Sequence, residues 1–243
     1  MCRHLAYLGD PVGLASPLFD APHSLARQAE HPRHQTSGTT NPDGWGVAWY
    51  HEDRTAPEQY RTVTPIWEDT AFAARAASIT AGAFVAAARL ASPGAALADT
   101  GNAPFVSGPW AFSLNGIVQG FPDGIGDKLR ARVQSVRREA IVGDADSEVL
   151  FALVLQELDA GADPGTALAE VVRDVVAITT GRLNLLLTDG RRIFATRYGN
   201  SLYQCATMLA SEPIDERPAW SEVPDHSLVT ITSAGSTTTP LPR

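Results

Sequence analysis

The sequence predicts an α+β layered fold. Strand-like runs occupy both ends of the chain, two helical stretches lie between them, and an Asp-Gly turn joins two apolar runs into a hairpin. With 44% hydrophobic and 19% charged residues among 243, the chain can bury a substantial core and does not have a disordered composition. No shift in composition marks a boundary, so residues 1–243 read as one domain.

The elements follow in order. Cys2 to Leu8 is short and apolar-rich, a strand beginning at the second residue. Residues 22 to 44 form a long irregular stretch rich in Pro, His, Ser and Thr, and loops of that length are often functional. Gly46 to Tyr50 reads as a buried strand. Asp69 to Ala81 is alanine-rich with helical spacing. Ala83 to Leu90 and Trp110 to Leu114 read as strands, each running into a turn. Asp146 to Leu158 has apolar residues at Val149, Leu150, Leu153 and Leu158, and Asp146 and Ser147 are candidate caps. Pro164 to Thr180 is a second helix, with Pro near its first turn and Gly181 past its end. Leu183 to Leu187 and Ile193 to Arg197 flank the Thr188-Asp189-Gly190 turn. Short strands are expected near Leu202, Met208 and Leu228. Gly120 to Gly126 reads as a loop whose glycine spacing does not fit a nucleotide-binding turn.

The net charge of −8 argues against nucleic acid or an anionic membrane as partner, and no run approaches the roughly 20 apolar residues of a membrane span. The N-terminus lacks the apolar core of a signal peptide, which implies a cytoplasmic location. Two cysteines are too few for a disulfide scaffold. His23, His31 and His34 have no acidic or cysteine partners at metal-ligand spacing, so no metal is assigned. Cys205 reads as a structural thiol. The number of subunits is left open.

Chemistry is concentrated in an ordered series of motifs. Cys2 follows the initiator Met, so trimming of Met1 would place a thiol and a free α-amine on one residue. An α-amine with a pKa of about 7.7–8.0 can take the thiol proton near neutrality. Then come Asn41-Pro42-Asp43-Gly44-Trp45-Gly46, Ala88-Arg89-Leu90-Ala91-Ser92, Phe112-Ser113-Leu114-Asn115-Gly116 and Asp146-Ser147-Glu148. Singly, each is as well explained by a turn, a surface charge or a helix cap. In this order they resemble the class-II glutamine amidotransferases, which are N-terminal-nucleophile hydrolases.

That resemblance implies a four-layer αββα sandwich and no cofactor. It makes Cys2 the nucleophile with its own amine as base, and Asn115 with the Gly116 N–H the oxyanion hole. It assigns Arg89 to the substrate α-carboxylate, Asp146 to its α-ammonium, and Ser92, Gly44 and Trp45 to the rest of the glutamyl pocket. Leu114 stands where many members carry His, and Pro93 follows Ser92 where a polar residue is common. Met1 to Gly9, Pro22 to Leu25, Pro65 to Trp67, Arg182 to Gly190 and Ala210 to Pro213 are similar to a narrower branch. Its members hydrolyse γ-glutamyl-hercynylcysteine sulfoxide in ergothioneine biosynthesis. The resemblance therefore implies a small-molecule γ-glutamyl substrate; the alternatives are a glutaminase subunit feeding ammonia to a synthase, or a binding protein with a relic site. Trp45 is the aromatic expected nearest the site, with packing into the core alone as an equal alternative, and the segment from His23 to Thr40 is the expected cover.

Overall fold

The computed structural model describes residues 2–35, 38–92, 97–139 and 141–241. Met1 and Pro93 lie outside the described residues. In chain order the elements are β1 (Arg3–Gly13), α1 (Leu25–Glu30), β2 (Trp45–Tyr50), β3 (Glu58–Thr62), α2 (Thr70–Ala76), β4 (Thr80–Ala88), β5 (Phe105–Ser107), β6 (Trp110–Val118), α3 (Gly126–Arg132), α4 (Ser135–Arg138), α5 (Asp146–Asp159), α6 (Pro164–Val176), β7 (Gly181–Thr188), β8 (Ile193–Arg197), β9 (Tyr203–Cys205), β10 (Met208–Ala210), β11 (Ser221–Glu222), β12 (Ser227–Thr232) and β13 (Gly235–Pro240).

The strands form two sheets, ordered β11-β9-β10-β1-β4-β2-β3 and β13-β12-β8-β7-β6-β5. Strand alternation sorts their side chains into three apolar layers. Leu5, Trp45, Val47, Trp49, Phe84 and Ala86 leave the first sheet outward and pack with Leu25 and Ala29 of α1 and Phe72 and Ala76 of α2. Phe112, Leu114, Leu183, Leu185 and Leu187 leave the second sheet outward and meet α3, α5 and α6. Between the sheets lie Ala6, Ala48, Ala83, Val85, Ala111, Leu186, Ala195, Val229 and Ile231. The result is the expected αββα sandwich, and the alanines of its middle layer let the two sheets approach closely.

Several local expectations change. The long irregular stretch contains α1, built from helix formers and capped by Ser24, whose Oγ accepts from Arg27 N. The helix expected over 69–81 stops at Ala76, because Ser78 turns back onto the Arg75 carbonyl and Thr80 opens β4. The one expected to reach Thr180 stops at Val176. β4 ends at Ala88, just before Arg89, whereas β6 continues through Asn115-Gly116 to Val118. Asp146 is the first residue of α5 rather than its cap; Ala145 holds the cap position, and one oxygen of the Asp146 carboxylate is taken by Val118 N. Residues 121–125 form a tight turn, with Asp123 N and Ile125 N both donating to the Gly120 carbonyl and Gly124 at a φ of 96°, that runs directly into α3. β3, β5 and the edge strand β13 carried no clear signal; all six residues of β13 are exposed.

Candidate active site

One end of the sandwich holds a cavity of about 600 Å³ whose wall includes Cys2, Arg89, Ser92, Gly116 and Asp146. These residues come from four separate parts of the chain. Cys2 immediately precedes β1. By alternation it shares a side with His4, whose Nδ1 lies 3.2 Å from Ser113 Oγ on β6. Burial, reinforced by the Arg3 charge, pulls His4 down to about 3, so its ring is neutral between the sheets.

Gly116 occupies a point where β6 and β7 run very close. A Cβ there would stand 1.7 Å from the Arg182 carbonyl oxygen, so no other residue fits without parting the strands. Asn115 is fully buried and sits behind the cavity wall, not on it. Its Nδ2 donates to Ser211 Oγ at 3.1 Å, and its backbone oxygen accepts from Asn200 Nδ2 at 2.9 Å. Ser211 Oγ in turn accepts from His4 N at 3.0 Å. The amide side chain is thus tied to the strand that carries Cys2.

Arg89 is fixed through its backbone. Its N–H donates to the Gly44 carbonyl at 2.8 Å, its carbonyl accepts from Asp43 N at 3.1 Å, and Asp43 Oδ2 accepts from Ala91 N at 2.8 Å. Its Nη1 is buried and, among the described residues, has no hydrogen-bond partner. An unpaired guanidinium donor is costly and suits a site awaiting a carboxylate. Asp146 is half-buried. Burial pushes its carboxyl above the ordinary range, against the N–H donors of Val118 and Ser147 and the charge of Arg89. A cation and an anion on the wall of one cavity match the zwitterionic end of an amino acid.

Two expected pocket residues are placed elsewhere. Trp45 is completely buried on the outer face of β2, where it meets Phe19, Tyr60 and Phe72, and its Nε1 donates to Asp69 Oδ2 at 3.1 Å. Strand alternation turns it away from the cavity. Gly44 is not on the wall either. Its φ of 107° and the approach of the Thr62 carbonyl, 2.3 Å from where a Cβ would lie, make it an obligatory glycine of the turn that clamps Arg89. Of the expected cover, the part in α1 packs into the core, and Thr36 and Ser37 lie outside the described residues. Among the described residues no group of three or more His, Cys, Asp or Glu side chains could hold a metal ion, and no helix is long and apolar enough to cross a membrane.

A buried ion network that the sequence reading did not predict lies beside Cys2, at its neighbour Arg3. Glu212 is fully buried and accepts from Arg3 Nη1 at 2.8 Å and from Arg33 N and His34 N at 2.9 and 3.0 Å, with His23 Nε2 at 2.6 Å. Burial alone would raise its pKa; His23, the two backbone donors and Arg3 hold it down to about 2. His23, given no role by the sequence beyond its place in the Pro22–Leu25 resemblance, is one of these partners. The Ser211-Glu212 pair carried a signal in the resemblance but no role.

The comparisons agree with this geometry. Residues 24–216 match the family model described as "Glutamine amidotransferases class-II". The chain is 35% identical over 246 residues to the "Gamma-glutamyl-hercynylcysteine sulfoxide hydrolase" of Mycolicibacterium smegmatis, covering 99% of this chain and 100% of that protein. A solved glutamine aminotransferase class-II domain protein from Silicibacter pomeroyi superposes with a TM-score of 0.73 at 26% identity, covering both chains completely. The glutamine PRPP amidotransferase of B. subtilis, at 12% identity and a TM-score of 0.67, shares the fold over all of this chain and 49% of its own. The chain therefore belongs to the class-II glutamine amidotransferases, amide-cleaving enzymes of the N-terminal-nucleophile fold.

Proposed function

We propose that the protein is a stand-alone hydrolase of γ-glutamyl amides, and that its substrate is γ-glutamyl-hercynylcysteine sulfoxide. The observation that carries the reading is the convergence of Cys2, Gly116, Arg89 and Asp146 on one cavity. Arg89 and Asp146 take the carboxylate and ammonium of the glutamyl unit. The Cys2 thiol, its proton passed to the α-amine, attacks the γ-carbonyl. The oxyanion is stabilised by the Gly116 N–H and by Asn115 Nδ2 reaching from behind the wall. The C–N bond then breaks, the departing nitrogen takes the proton back, and water hydrolyses the thioester to release glutamate.

Two observations favour a large leaving group over ammonia. A volume of about 600 Å³ falls in the range of pockets for drug-sized ligands. The relative that this chain matches end to end is named for that sulfoxide substrate. The test compares glutamine with γ-glutamyl-hercynylcysteine sulfoxide as substrates of the isolated chain. A preference of at least roughly tenfold in kcat/KM for the sulfoxide, about 1.4 kcal/mol of discrimination, supports the reading. Equal or better use of glutamine returns the protein to the glutaminases that serve a synthase.

A further inference from the structure

Two arginines line the cavity, Arg89 and Arg130, and the glutamyl unit accounts for only the first. Arg130 lies in the last turn of α3, on the segment that follows the oxyanion strand. Its guanidinium carbon stands 5.0 Å over the ring of Phe121, a buried side chain that also lines the cavity. The ring holds the guanidinium in place. Its charge partners do not hold it tightly. Asp127 and Asp144 approach at 3.7 and 3.6 Å, too far for hydrogen bonds, and their side chains are 87% and 101% exposed. Ion pairs with such solvated carboxylates contribute only about 0–1 kcal/mol and are readily exchanged. Among the described residues no hydrogen bond leaves the Arg130 side chain, whereas Arg137, seven residues after it on α4, is committed to Asp159 through two.

We infer that Arg130 binds the carboxylate of the leaving amine, so that the enzyme selects amides in which the γ-carbonyl is joined to an amino acid rather than to ammonia or a simple alkylamine. The inference rests on the γ-glutamyl reading above and deepens it. In such a substrate the second carboxylate is two bonds from the scissile nitrogen. It must therefore occupy the same cavity as Cys2, on the side vacated when the amine departs. On this wall Arg89 and Asp146 face the glutamyl zwitterion, Arg130 is the cation left for the carboxylate beside the scissile nitrogen, and Asp123, Asp127 and Asp144 line the same cavity. The planar fork on its ring offers two parallel donors to that anion, and exchanging a water-exposed aspartate for it costs little.

A matched substrate pair isolates this contact. γ-Glutamyl-2-aminobutyrate and γ-glutamyl-propylamide differ only by the leaving-side carboxylate. The wild-type chain should favour the former by at least roughly tenfold in kcat/KM, the scale of one charge-assisted hydrogen-bonded pair. Arg130→Met, which keeps an apolar stem against Phe121, should bring that ratio to about one. Arg130→Lys, with charge but no fork, should fall between. An Arg130→Met enzyme that keeps the wild-type ratio, whatever its absolute rate, overturns the inference, as does a wild-type enzyme with no preference between the two. Failure of the wild type to release glutamate from either compound overturns the γ-glutamyl reading itself, and the inference falls with it.

Discussion

Cys2, Arg89, Gly116 and Asp146 were each legible as residues because their motifs fix local chemistry, and the fold brings them onto one wall. For Trp45 the sequence leaves pocket and core open, because adjacency in sequence does not give the face of a strand; one residue after the Asp-Gly turn, alternation points its side chain into the outer core. Two predictions belong to this scale. Intact mass should show loss of Met1, and Cys2→Ala should fold normally while turnover falls below about a thousandth of wild type, measured as glutamate release. An active sample that retains Met1 rules out the α-amine as base. Arg89→Lys keeps the charge but loses the fork beside its unpaired Nη1. Its kcat/KM should fall by about 10- to 100-fold, the loss expected when a charge-assisted hydrogen bond is removed. A kinetically silent Arg89→Lys would place the carboxylate clamp elsewhere.

Among the elements, β6 does the most to place the chemistry. It carries Asn115 and Gly116 in its paired interior, not at its end, with Asn115 opposite Asn184 and Gly116 opposite Leu183 on β7. Gly116→Ala should therefore act on the fold as well as on the proposed oxyanion contact. The added methyl meets backbone rather than a movable side chain. A loss of about 1–3 kcal/mol or more in unfolding free energy is expected, read by denaturant titration. Unchanged stability would mean that β6 and β7 can part at no cost. The helical signals were legible where apolar periodicity was strong, as in α5 and α6. α1 was hidden by the prolines and histidines around it, although Ser24 followed by Leu-Ala-Arg-Gln-Ala-Glu contains both a cap and good helix formers.

For the whole molecule, the Glu212 network ties the two ends of the chain together, since Arg3 and Glu212 are 209 residues apart. With a folded pKa of about 2 against an ordinary value of 4.5, Glu212 contributes stability that is present above about pH 4.5 and is lost as pH falls toward 2. Glu212→Gln should destabilise the protein at pH 7 by about 3–5 kcal/mol, because Arg3 is left buried without its counter-charge. It should also flatten the decline in stability between pH 4.5 and 2, measured by urea unfolding across that window; an unchanged slope would mean that other carboxylates govern it. The sequence by itself determined the layered α+β class, the hairpin, the main helices and the candidate residues that the fold gathers at one cavity, because these depend on local periodicity, turn chemistry and motif order. Only the tertiary structure decided which faces the aromatics occupy, that Asn115 is buried behind the cavity wall against Ser211, and that Glu212 anchors β1 through Arg3. Each of those depends on pairing between residues far apart in the chain, and no local pattern encodes such a pairing.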